Sequence, residues 1–127
     1  MSTRMLATVL LVTLVAARAG AEETSKIKPD FSNPKIAMQT FIAAAQARDV
    51  DVLSTCFHEK APAEFAPFVK KTASKKELDG FAEFLKGAEI TGVEEMGERA
   101  VVKVKLRSRD ESISVGKTVG GWKVIDF

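Results

Sequence analysis

The chain of 127 residues contains no tyrosine, and only one cysteine, one histidine and one tryptophan. Each shortage excludes something. A single thiol cannot close an internal disulfide, so the fold must rest on its apolar core. One histidine among scattered carboxylates does not supply the three or four ligands of a zinc site, and neither a metal nor any other cofactor is expected. Without tyrosine there is no phenolic hydroxyl to serve a site as acid or hydrogen-bond donor.

Long apolar runs are also missing. The longest, Met5 to Ala17, is 13 residues, short of the roughly 20 that span a bilayer as a helix. Arg4 precedes it, small residues follow, and Glu22 and Glu23 stand where a stop-transfer segment would be basic. This is the layout of a secretory signal peptide. Ala19-Gly20-Ala21 before Glu22 is the preferred cleavage site over Ala17-Arg18-Ala19 before Gly20. Residues 1–21 are therefore expected to be removed from an exported protein, periplasmic or extracellular, with no membrane attachment after cleavage. The loss of Arg4 and Arg18 leaves 17 basic and 17 acidic residues, a neutral chain of 106. That length suits a single domain with one core. A neutral domain has no general attraction for phosphate backbones or anionic lipid, which excludes nucleic acid as a partner.

Residues 22–32, with Pro29, read as a flexible lead-in, and 33–127 as one domain. Asn33 and Pro34 are start signals for a long helix whose Ala37, Met38, Phe41, Ile42 and Ala45 share one face. "DVDVLSTCFHEK" predicts a second, shorter helix capped by Asp49 or Asp51. Pro62 and Pro67 permit only a short or broken helix. Ser74 with Glu77 is a capping box opening a helix that buries Leu78, Phe81, Ala82 and Leu85 and stops at Gly87. Beyond Gly87 the apolar period changes from 3.6 to 2. "AEITGVEEM", "RAVVKVKLRS", "ESISVGKTV" and "GWKVIDF" read as four strands with short links, hence an antiparallel meander. Ala100, Val102, Val104 and Leu106 alternate with Lys103, Lys105 and Arg107, giving one dry and one wet face. The fold class is α+β, N-terminal helices packed on a curved four-stranded antiparallel sheet.

The order of these pieces resembles the nuclear transport factor 2-like (cystatin-like cone) superfamily, in particular its short exported members of unassigned function. The opening "NPKIAMQTFIAAAQARDVDVLSTCF" is similar to that family's first helical pair, "RAVVKVKLRSRDESISV" to its central hairpin and "GGWKVIDF" to its terminal strand. The resemblance covers residues 33–127 and implies a curled sheet around the first helix, leaving a conical pocket. It implies little about function, because this fold carries isomerases, dehydratases and pure scaffolds alike. It makes a homodimer through the sheet an expectation, against which Lys103, Lys105 and Arg107 on the wet face weigh.

Enzymes of this fold place a carboxylate or histidine base inside the cone and commonly use tyrosine to hold the oxyanion, and this chain has none. The remaining candidates are Asp126, expected by alternation on the inward face with Trp122 and Val124, and His58. The plainer account of each is a solvated strand end and a polar-face histidine. "TCFHEK" holds the only cysteine and histidine two positions apart. On a helix such residues lie roughly 200° apart, which would turn Cys56 to the core with Val52, Leu53 and Phe57, and His58 to water. Phe41, Phe57 and Trp122 are candidate ligand-binding residues if the cone is open, and core if it is filled. The expected function is a non-catalytic binding domain for a small apolar molecule or a protein. The alternative is a small isomerase or lyase using Asp126 or His58.

Overall fold

Helix α1 spans Pro34–Ala47 in the computed structural model, which describes residues 27–107 and 109–126. The expected signal peptide at 1–21 lies outside the described residues. Asn33 holds extended backbone and accepts from the Ile36 N–H through its side-chain oxygen at 2.8 Å, the start its sequence predicts. Met38, Phe41 and Ala44 of α1 are fully buried.

Helix α2 is one turn, Val50–Leu53, capped by the Asp49 carboxylate. It is shorter than the sequence pattern suggests. The hydroxyls of Ser54 and Thr55 donate to the carbonyls of Asp51 and Val52, and such local bonds compete with helix propagation. A 3-10 turn at Ala63–Phe65 leads into helix α3, Ala66–Val69. Helix α4, Lys75–Phe84, opens with both halves of the Ser74–Glu77 capping box. Arg48 beyond α1 pairs with Asp79 of α4 at 2.5 Å, and Lys75 joins the same carboxylate at 2.7 Å. These two partners hold the Asp79 carboxyl below its ordinary range.

Strands β1 (Glu89–Met96), β2 (Arg99–Lys105), β3 (Asp110–Thr118) and β4 (Gly121–Asp126) form an antiparallel meander in that order. Ala100, Val102, Val104, Ile113, Val115, Trp122 and Val124 are buried together with the apolar face of α1. The other face carries exposed Arg99, Lys103 and Lys105. The expected α+β layering is therefore present. Register shifts interrupt the sheet near Ile90 and Gly92 in β1 and where β3 turns from Ser114 to Val115, and extra residues of this kind bend a strand and sharpen its twist.

The end of the lead-in is tied down. The Trp122 N–H donates to the Phe31 carbonyl at 2.9 Å, and the Thr40 hydroxyl and the Asp30 backbone bond each other in both directions. Gly121 makes the crossing possible. Its φ is +109°, and a Cβ there would fall 2.5 Å from the Phe31 oxygen, so only glycine fits both the backbone conformation and the space.

Candidate functional site

The three aromatic candidates lie in the packed interior. Phe41 is fully buried and Phe57 and Trp122 nearly so. Phe41 meets Phe57 edge-on at 5.6 Å between ring centroids and Phe81 at 5.5 Å. Phe57 stacks on Phe65 at 5.1 Å, and Phe68 on Phe81 at 4.9 Å. Rings at these separations occupy the space between α1 and the later helices, with the geometries aromatic pairs prefer. The cone is filled at this point by the protein's own side chains.

The segment Cys56–His58 departs from the helical expectation. Having left α2 at Leu53, the chain extends and adds to the free edge of β4 as a parallel bridge, Phe57 to Val124. The His58 N–H donates to the Val124 carbonyl at 2.7 Å, and the Val124 N–H to the Cys56 carbonyl at 2.7 Å. Two backbone bonds to a sheet edge here outweigh the further helical turn that the apolar spacing suggested. A helical angle between Cys56 and His58 consequently does not apply. Alternation along the extended segment sends Phe57 toward the helices, where it meets Phe41, and His58 to the other side of the sheet. There the His58 ring covers Gly116 of β3. A Cβ on residue 116 would sit 3.0 Å from His58 Cδ2 and 2.8 Å from Ile125 Cδ1.

Asp126 does not share the inward face with Trp122 and Val124. Val115 pairs with Val124, but Ser114, the next residue of β3, pairs with Asp126. One extra residue, Ile125, is thus accommodated in β4. A one-residue shift exchanges the faces, and Asp126 stands exposed opposite Ser114, away from the buried layer of Ile113 and Val115.

Cys56 is buried, as expected, and its thiol donates to the Val52 carbonyl at 3.4 Å. Burial pushes the thiol pKa up to about 12 from 9.0, with nearby Lys123 opposing the rise. Lys123, half-buried, donates to the Thr55 carbonyl at 2.6 Å and lies 3.6 Å from the centroid of the Phe31 ring. Desolvation lowers its pKa. The thiol has a definite consequence for alkaline stability. Between pH 9 and about 12 the unfolded chain loses a proton that the folded chain keeps, so stability falls as pH rises, with a limiting slope of about 1.4 kcal/mol per pH unit. Lys123 acts in the opposite sense, its ammonium being easier to neutralise in the fold. Urea midpoints of the wild type are expected to drop across this window more steeply than those of Cys56→Ala, and parallel profiles for the two proteins would contradict the assignment.

His58 borders a groove of about 600 Å³. Three turns distant in sequence form it: residues 58–60, the β1–β2 turn at Glu98 and Arg99, and the β3–β4 hairpin from Gly116 to Val119. The Lys117 N–H donates to the Glu98 carbonyl at 2.8 Å and joins two of them. His58 Nδ1 accepts from the Lys60 N–H at 3.0 Å, which leaves the ring proton on Nε2. Among the described residues, Glu59, Lys60, Glu98, Arg99 and Lys117 take part in none of the salt bridges, which join Arg48 and Lys75 to Asp79, Lys71 to Asp51, Arg107 to Glu83 and Arg109 to Glu111. The sequence pattern singled out only His58 of this set. The available signal for the rest was Gly116, an isolated glycine inside the alternating "SISVGKTV", which often marks a close approach to a strand.

No group of three or more histidine, cysteine, aspartate or glutamate side chains that could hold a metal occurs among the described residues. No described helix is long and apolar enough to cross a membrane. No protein-family model matches the chain, and no curated protein matches it. Among solved structures the chain is similar to a candidate calcium/calmodulin-dependent protein kinase type II association domain from Thiobacillus denitrificans, with a TM-score of 0.48 and 12% identity over 77% of this chain and 94% of that one.

Proposed function

We propose that the chain is an exported, non-catalytic binding domain of the nuclear transport factor 2-like type, which acts on a protein partner through its surface. The observation that carries this reading is the phenylalanine cluster, whose rings pack on one another where a ligand-binding or catalytic member of such a fold would keep its cavity. The same packing argues against the small apolar ligand, the other occupant that the sequence allows. An isomerase or lyase would need its base beside a substrate inside the cone. Asp126 is exposed at the sheet end, and His58 lies across the sheet from the aromatic cluster.

Two measurements on the purified protein and in exporting cells test the reading. An apolar ligand at a hundred times its Kd would add about 2.7 kcal/mol of stability, equivalent to a rise of roughly 10–20 °C in Tm for a domain of this size. A panel of steroids, fatty acids and aromatic compounds is expected to produce no such rise. A photo-crosslinking residue at exposed Val119 is expected to yield one discrete adduct with a second protein, and the same residue at exposed Lys86 none. A ligand-induced Tm rise, or equal crosslinking from both positions, would overturn the proposal.

A further inference from the structure

We infer that the groove between residues 58–60 and the two hairpin turns binds an acidic peptide segment in extended conformation, an inference that rests on the reading of the chain as a protein-binding domain. The groove presents Lys60, Arg99 and Lys117, all exposed and none of them in a salt bridge among the described residues. To these His58 adds an N–H at Nε2, oriented by the bond its Nδ1 accepts from the Lys60 backbone. Lys60, Arg99 and Lys117 line, with His58, a groove of about 600 Å³, and charge-assisted bonds to carboxylates are the strong ones.

The remaining chemistry selects a peptide over other anions. Glu59 and Glu98 stand on the same rim; they accept from peptide N–H groups and repel a uniformly anionic polymer. The groove is open to solvent along one side, so a small molecule would be covered far less than the 70–90% usual in a ligand pocket, whereas an extended chain contacts all three turns at once. At the lip, the Val119 side chain is fully exposed and offers an apolar seat beside the cations. The fitting segment therefore alternates acidic and apolar residues, with the acids facing the groove. Gly116 lets the His58 ring lie close against the strand and so sets the depth of the floor.

The test uses a fluorescein-labelled peptide alternating glutamate and leucine, read by anisotropy, with a lysine–leucine peptide of the same length and inorganic phosphate as comparisons. The acidic peptide is expected to bind, more weakly as salt rises, and to shift the Gly116 amide and the His58 ring resonances. Lys60→Gln, Arg99→Gln and Lys117→Gln, all on exposed side chains, are each expected to weaken binding roughly 2–5-fold, the range of exposed charge pairs, and the triple variant more than tenfold by the same scale. Lys86→Gln, which removes an exposed cation outside the groove, is expected to leave the affinity unchanged. Tighter binding of the lysine–leucine peptide, competition by phosphate alone, or an affinity indifferent to the triple variant would overturn the inference. None of those results touches the broader reading, which falls instead if an apolar ligand stabilises the protein.

Discussion

Replacing Phe41 by alanine is expected to lower the unfolding free energy by about 3–5 kcal/mol, the usual loss for a buried phenylalanine. Phe41 is at 0% exposure and touches both Phe57 and Phe81. Its removal thus opens a cavity and breaks two edge-on ring contacts together. Against a total stability of about 5–15 kcal/mol for a domain, the variant stands near the limit of folding. Urea titration is the measurement, with the midpoint falling at an unchanged slope. A dry cavity of this origin accepts small aromatic molecules, so benzene is expected to restore part of the loss in the variant and to do nothing for the wild type. A loss below about 1 kcal/mol, well under the usual range, would mean that the rings do not pack as described.

Gly121→Ala is the second severe change, for a different reason. Nothing is removed from the core. The substitution instead places a Cβ 2.5 Å from the Phe31 carbonyl oxygen on a backbone held at φ +109°. A non-glycine residue in such a region costs on the order of 1–3 kcal/mol. The displaced Phe31 carbonyl also leaves the buried Trp122 N–H without its partner, adding about 1–3 kcal/mol. Neighbouring Gly120 has no left-handed φ, and a methyl group added there would meet no atom closer than 3.8 Å, so Gly120→Ala is expected to stay within about 0.5 kcal/mol of the wild type. Equal losses at the two glycines would refute the steric account. Comparing thermal unfolding of both single variants decides it.

Local signals in the sequence carried far. Asn33, the Ser74–Glu77 pair and the strict alternation of Ala100, Val102 and Val104 act within one helical turn or one strand, and each is found where its spacing predicts. What the pattern could not reveal are pairings made across the chain. Cys56 to His58 carries an apolar spacing compatible with a helix, yet its backbone partner is Val124. Asp126 obeys alternation in the one-dimensional sequence and loses it to an extra residue in β4 that only the register displays. Phe31 sits in a polar stretch with nothing to announce its contact with Trp122. The groove is the extreme case, since its three turns have no sequence relation to one another. Charges on three surface loops look like ordinary solvated residues until the fold brings them to one place.

The pairings of β4 also bear on the order in which the chain can fold. This last strand receives Phe31, Cys56 and His58 through backbone bonds, in addition to its partner β3. Contacts so distant in sequence close large loops and slow the approach to the native state. During synthesis, the early segments have no edge to dock on until residues 121–126 have emerged. Phe31 and the Cys56–His58 segment therefore gain their native backbone partners only once β4 has formed.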